Sequence, residues 1–522
     1  YKFEDQDFKL RKSKKTIIAN NQDIEQKDYA GTIVDIDYKE KEVLLKRGTS
    51  QGVLPPILSI GPNKPQGNDK LILNTYKFID SLIDEEKKYS ALNDFLEKKH
   101  PNIKGIKVGD RIINNDDFEK EIPKIISNLD NSYIYIQGPP GTGKTYQAAN
   151  TIIELLKKNK KIAVTGLSHK VIHNLLSRIE MTASEKQFEF MGYKKGNLED
   201  EDTIFEGEYI KTYEKDPVFM NALKEKNIGQ IFAGTKYHLA NAYYDQKIDY
   251  LFIDEAGQVS LADLISIGNI AKNIILIGDQ NQLGQPIKGT HPNESGQSLL
   301  DYLLEGKDTI PDDKGIFLNK TYRLNTKLNK FISSNFYEEK LTSDAKTDKR
   351  NIRFNKKHKI KDSGIHYIEM SHSNNVQTSI EEFEVVKDLM KEMIGLEFDD
   401  QGKIRKLTKD DFLIISPYNT QVNLLISKLE ESKINNPRVG TIDKFQGQEA
   451  PITIISMTSS DSESLPRNKD FFFSRNRLNV AISRAQVASI ILFNPRLLDS
   501  SPKKIEHIKL MNNFFKLINY KI

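Results

Sequence analysis

Tyr133-Ile-Tyr-Ile-Gln-Gly138-Pro139-Pro140-Gly141-Thr142-Gly143-Lys144-Thr145 is the stretch on which the reading of this chain turns. A short buried run leads into G-x-x-x-x-G-K-[ST]. Ala148, Ile152, Ile153, Leu155 and Leu156 then recur at helical spacing. Strand, glycine loop and helix in that order make a phosphate cradle. The glycines let backbone N–H groups converge on phosphate oxygens, and the helix N-terminus adds a positive field. Lys144 is expected at the β- and γ-phosphates of a nucleoside triphosphate, and the Thr145 hydroxyl at Mg²⁺. A chance glycine-rich turn would lack the flanking strand and helix.

Downstream, Leu251-Phe-Ile-Asp254-Glu255 ends a second buried strand in adjacent carboxylates. Alone, such a pair reads as a solvated strand end. Behind a phosphate loop, Asp254 is expected to hold Mg²⁺, and Glu255 to orient or deprotonate the attacking water. A guanine-specific site needs Asn-Lys-x-Asp. Asn319-Lys-Thr-Tyr322 and Asn468-Lys-Asp-Phe471 both lack the final Asp, which excludes that class.

Working outward, the runs Ile162–Val164, Leu251–Ile253, Ile274–Ile277, Leu413–Ile415, Ile452–Ile455 and Ile490–Phe493 alternate with helical stretches. That alternation predicts parallel strands in βαβ units. Val171, Ile172, Leu175, Leu176 and Ile179 share one face of a helix after the second strand. Residues 182–228, rich in Glu, Lys and Asp, break the rhythm and read as an insertion. A fresh series of strands starts after about residue 318, so the fold expected is α/β with two tandem domains, 121–318 and 319–522. Upstream, residues 31–48 read as a β-hairpin. Residues 1–68 read as a small β-rich, barrel-like module, and 69–120 as a helical connector. Asp37-Tyr38-Lys39 has the D-x-K form of a nuclease metal site, but it falls at the hairpin turn, where charges belong anyway. Lys157, Lys158, Lys160 and Lys161 end a helix and suit its dipole.

The 522 residues are 38% hydrophobic and 29% charged, an ordinary composition for large buried cores. No cysteine is present, which excludes disulfides, thiol catalysis and thiolate metal sites. A net charge of +4 does not by itself announce a nucleic-acid binder. No apolar run reaches the roughly 20 residues of a membrane span, and the charged start lacks a signal-peptide core. A cytoplasmic protein without membrane contact is expected.

Further motifs follow in order: Val164-Thr-Gly-Leu-Ser168-His169-Lys, Gly278-Asp279-Gln-Asn-Gln282-Leu and Thr321-Tyr322-Arg323, then Ser416-Pro417-Tyr418-Asn-Thr-Gln421, Gly440-Thr441-Ile-Asp-Lys-Phe-Gln-Gly-Gln-Glu449 and Arg477-Leu-Asn-Val-Ala-Ile-Ser-Arg484-Ala. With the two motifs above, this series resembles the superfamily 1B helicases, over about 70% of the chain. The resemblance implies two RecA-like domains that bind ATP and Mg²⁺ between them and move 5′→3′ along single-stranded or forked nucleic acid, with DNA favoured over RNA. Gln282 would sense the γ-phosphate, and Arg323 and Arg484 would reach it across the cleft. Tyr322 would stack on the base and Glu449 would hold the ribose. Ser168, His169, Thr235, Pro417, Tyr418 and Thr441 would lie along the strand. The family's Leu-Asn-x-x-Gln adenine-reading element has no counterpart in residues 111–132, so the base of the triphosphate stays open. The hairpin and the Ser168–Leu176 segment further resemble the helicase half of bacterial fusions with a RecB-like nuclease. A chain starting at Tyr1 rather than Met suits one cut free of such a partner. An NTPase clamp that does not unwind duplex would need the same cleft.

Overall fold

The computed structural model describes the chain except residues 5–9, 11, 13, 19–28, 38–39, 63–66, 85, 285–290, 355–359, 446, 464, 466–471, 500–504 and 521–522. Tyr38, Lys39 and the Asn468–Phe471 segment thus lie outside the described residues.

The N-terminal part is a four-stranded antiparallel sheet of β1 (Lys15–Ile18), β2 (Tyr29–Asp37), β3 (Glu42–Lys46) and β4 (Ile60–Pro62), in the order β3-β2-β1-β4. The predicted hairpin is β2–β3, and Asp37 accepts the Glu40 backbone N–H in its turn. Residues 1–3 pair antiparallel along the outer side of β3, with the Val43 N–H donating to Tyr1 O and the Phe3 N–H to Lys41 O. Helices Asp69–Ile83, Ser90–Leu96 and Phe118–Ser127 follow.

The first lobe is built on eight strands: β5 (Tyr133–Gln137), β6 (Lys161–Thr165), β7 (Met191–Lys195), β8 (Ile210–Tyr213), β9 (Gln230–Ala233), β10 (Ile248–Ile253), β11 (Ala271–Gly278) and β12 (Gly315–Phe317). Their order is β12-β5-β11-β10-β6-β9-β7-β8, and every pairing is parallel. Parallel sheets need cover on both faces, and two separate apolar clusters supply it. One contains Tyr135, Leu251 and Leu276; the other contains Ile134, Phe252 and Ile275. Adjacent residues of a strand therefore enter opposite cores, which is why these runs are apolar at every position rather than at alternate ones. The 182–228 stretch contributes β7 and β8 to the edge of this same sheet.

The second lobe holds short strands β13 (Lys320–Thr321), β14 (Thr342–Ser343) and β15 (Asn351–Arg353), then β16 (Gly364–Glu369), β17 (Glu397–Asp400) and β18 (Lys403–Lys406). It closes with β19 (Phe412–Ile415), β20 (Val439–Gly440), β21 (Ala450–Ser456) and β22 (Ala485–Phe493). Its main sheet is β16-β22-β21-β19-β20, again all parallel, and is likewise covered by two clusters. Two parallel sheets in tandem are the α/β architecture expected. Loops after strand C-termini collect at one end of each sheet, which is where α/β folds bind ligands.

Candidate nucleotide cleft and strand track

The phosphate loop connects β5 to the helix Lys144–Leu156. Gly141 and Gly143 hold φ of +74° and +79°, values that L side chains rarely adopt. Gly138 is needed for space: a Cβ there would sit 2.0 Å from Lys144 Cγ. Lys144 Nζ donates to the Gly138 carbonyl at 2.6 Å, folded over its own loop. Pro139 and Pro140 present carbonyls that accept from the Thr142 and Thr321 hydroxyls, each at 2.8 Å. Thr145, half-buried in the first helical turn, faces the same end of the sheet.

Asp254 directly follows the buried strand β10 and accepts the Glu255 N–H at 2.9 Å. Burial, then the adjoining Glu255 charge, pushes its carboxyl up to about 7, and Lys144 opposes the rise. Glu255 itself takes φ +53°, an unusual backbone for a non-glycine residue and one of the kind that gathers at functional sites. A glycine cradle, an ammonium that donates to a carbonyl of its own loop, and a buried carboxyl beside a half-buried one fit a Mg²⁺–triphosphate.

The second lobe reaches this cradle directly. Tyr322 N–H donates to Gly141 O at 2.9 Å, and a Cβ on Gly141 would lie 2.4 Å from Arg323 Cβ. Arg323 donates through Nε to the Glu449 carboxylate and through Nη1 to Ser483 O at 3.2 Å. Burial works to raise Glu449, but Arg323 and a bond from Gln486 outweigh it and hold the carboxyl low. Glu449, expected on a ribose, here holds an arginine. Arg484 is 2% exposed and donates to the Val480 and Gln448 carbonyls. Burial, then the charge of Arg323, pushes it down to about 9, while Glu255 and Glu449 pull the other way. It therefore keeps its charge at neutral pH, within the field of Glu255 across the cleft. Tyr322 is 55% exposed at the rim.

Gln282 is buried and donates to Asp279 Oδ2 at 3.0 Å. The same oxygen accepts from Tyr337 OH at 2.6 Å, and that hydroxyl accepts from Asn479 Nδ2 at 3.1 Å. Asn479 also donates to Asn281 O, and Asn476 to the carbonyls of Gln280 and Gln282. Arg475 clamps Asp308 through two bonds of 2.7 and 2.8 Å. The helix Arg475–Ile482 thus grips the Gly278–Leu283 loop of the other lobe, and Leu283 packs into the second lobe's core. Tyr337, Asn479, Arg475 and Asp308 did not emerge as candidates from the sequence, because their partners lie in distant segments.

The strand residues divide. Ser168 caps the helix His169–Glu185 by accepting the Val171 N–H, and its side chain is exposed. His169 is half-buried, with Nδ1 2.9 Å from Lys194 Nζ, and burial followed by that lysine's charge lowers it to about 4. Thr235 begins a short helix nearby and is half-buried. Pro417 and Thr441 line a small depression of about 50 Å³ with Arg477 on the second lobe. Tyr418 is a correction. It is 3% exposed and packs on Phe472 at 6.3 Å, a core aromatic whose ring cannot meet a strand in this arrangement. Among the described residues, no group of three or more side chains has the makeup of a metal cluster, and no helix is long and apolar enough to cross a membrane.

Residues 123–287 and 295–496 each match an AAA domain family. The DNA replication ATP-dependent helicase/nuclease dna2 of Schizosaccharomyces pombe is 27% identical over 408 residues, 73% of this chain and 28% of that protein. The ATP-dependent helicase NAM7 of Saccharomyces cerevisiae is 27% identical over 406 residues, 70% of this chain and 40% of that one. The DNA polymerase alpha-associated DNA helicase A of S. pombe is 26% identical, covering 67% and 59%. The chain therefore spans between about a quarter and three-fifths of these relatives. Among solved structures, an Arterivirus nonstructural protein 10 helicase with DNA matches at TM-score 0.39 and 13% identity, over 70% of this chain and 61% of that one. With both AAA domains matched in tandem, the chain is homologous to the superfamily 1B helicases.

Proposed function

We propose that the chain is an ATP-driven motor that moves 5′→3′ on single-stranded nucleic acid, DNA in preference to RNA, and unwinds duplex ahead of it in the cytoplasm. The observation that carries this reading is the shared pocket: Arg323 and Arg484 of one lobe meet Gly141 and the field of Glu255 of the other. Lys144, Thr145 and Asp254 would hold Mg²⁺–ATP, with Tyr322 against the base. Mg²⁺ bound at Thr145 and Asp254 would offset charge on the phosphates. Glu255 orients and deprotonates the attacking water. The two guanidinium groups meet charge growing on the phosphoryl oxygens, as arginine fingers do. To do so, Arg323 exchanges Glu449 for the nucleotide, and Lys144 leaves the Gly138 carbonyl. Each bond change belongs to a different lobe, so nucleotide binding and cleft geometry are coupled. Ser168, His169 and Thr235 on one lobe and Pro417 and Thr441 on the other would grip the strand in turn.

The helicase/nuclease relative supports a nuclease domain or subunit as partner, as the sequence resemblance does. A forked-substrate displacement assay, run beside strand-stimulated ATP hydrolysis, tests the motor. Displacement dependent on ATP and a free 5′ strand is expected. Stimulated hydrolysis without displacement would establish a clamp instead. Glu255→Gln should lower turnover by at least about 100-fold with ATP still bound. Turnover at the unmodified rate would remove Glu255 from its role.

A further inference from the structure

Apart from the nucleotide cleft, the first lobe has a cavity of about 450 Å³ beyond the C-termini of β6, β7 and β9. That size falls within the range of small-ligand sites. Ser168, His169 and Thr235 form its mouth. The far wall comes from parts the motor mechanism does not use: Lys70 of the Asp69–Ile83 helix, and Lys195 and Asp216 around strands β7 and β8.

Two properties point to the occupant. The lining carries three lysines against two aspartates, with Lys195 on Asp216 at 2.7 Å and Lys236 on Asp263 at 2.6 Å. One positive charge is left over, which matches a single phosphodiester. A bare phosphate would not need the apolar wall of Leu167, Val259 and Ile267. His238 is the second, independent sign. It lines the cavity and is 4% exposed; its Nε2 lies 2.8 Å from Tyr244 OH, while Nδ1 has no hydrogen-bond partner among the described residues. Buried polar atoms in native structures are nearly always paired, so an orphan in a cavity wall marks a place where a ligand or water completes the set.

We propose that this cavity receives one nucleotide of the bound strand, turned out of line with its neighbours, its base against the apolar wall and the His238 edge and its phosphate toward Lys70. The inference rests on the strand-binding reading above. Turning out a base costs least when the strand is already single. A cavity occupied once per step gives the lobe a grip on the base as well as on the backbone, without sequence readout.

The test uses the full chain and an oligothymidylate of about twelve nucleotides carrying 4-thiothymidine, irradiated and mapped by mass spectrometry. Crosslinks to residues 195–197 or 235–241 are expected. Asn197→Trp, placed at the exposed rim, should cut their yield by about tenfold while fluorescence anisotropy shows the strand still bound. Crosslinks confined to Ser168, His169 and the second lobe in the unmodified chain overturn the cavity assignment alone, whatever the variant does. So does a yield that Asn197→Trp leaves unchanged in a variant of normal melting temperature. No binding of the strand at any concentration overturns the strand reading and this inference together.

Discussion

Gly141 concentrates the chemistry of the cleft in one missing side chain. Its φ of +74° and the 2.4 Å that would separate a Cβ from Arg323 are two independent penalties. Gly141→Ala should therefore push the arginine out of the cradle and cost about 1–3 kcal/mol of stability. ATPase activity should fall further than melting temperature implies, and parallel assays of the two would show it. Lys194 is a second case. It is fully buried, donates to His169 and to Thr203 O, and burial lowers it from 10.5 to about 8. Between those values the folded chain has released a proton that the unfolded chain still holds. Stability attributable to this residue thus rises as pH climbs from about 8 to 10.5, by up to about 1.4 kcal/mol per pH unit. Below pH 8 the folded chain bears a buried charge. Lys194→Met should remove that part of the rise, read as the difference between the two denaturation profiles. An identical pair of profiles would show the lysine to be solvated.

At the scale of elements, the helix Arg475–Ile482 is a latch between lobes. It holds the Gly278–Leu283 loop through Asn476 and Asn479, and holds Asp308 through Arg475. Tyr337 passes this hold to Asp279 and so to Gln282. Tyr337→Phe deletes one hydroxyl and leaves Asp279 short of a donor, at a cost of about 1–3 kcal/mol. Strand stimulation of ATP hydrolysis should then drop several-fold more than unstimulated hydrolysis, since the cradle itself is untouched. Equal loss of both would make Tyr337 a packing residue only. Much of this fold was legible beforehand. Every apolar run named from the sequence is a strand, because burial on both faces leaves no polar positions to blur the signal. The 182–228 stretch was not legible as sheet: β7 and β8 are of mixed composition, and only the pairing of β7 with β9 and of β8 with β7 makes them strands. The glycine loop, Arg323 and Glu449, named from local motifs, lie together where the two lobes meet. Tyr418 misled because an aromatic in a motif reads the same whether it faces a strand or Phe472.

For the whole molecule, four buried histidines make stability sensitive to acid, and they are unevenly placed. Burial, the leading cause at each, lowers His169, His173 and His366 to about 4 and His238 to about 3, from an ordinary 6.5. As pH falls from 6.5 toward 4, the unfolded chain takes up protons that the folded chain refuses. Stability is therefore lost on acidification, with each histidine adding up to about 1.4 kcal/mol per pH unit. Three of the four stand in the first lobe, on or beside the cavity and the strand track; only His366, on β16, belongs to the second. The lobes have apolar cores of their own, joined by the latch and by Leu283, so they need not yield together. Amide exchange near pH 5 should show β6, β7 and β9 losing protection before β19 and β21, and strand affinity failing with them. His173→Gln should delay that loss: its Nε2 has no partner among the described residues, and its ring lies 6.0 Å from His169. Simultaneous loss of protection in both lobes would instead mean that the latch makes the two cores a single cooperative unit.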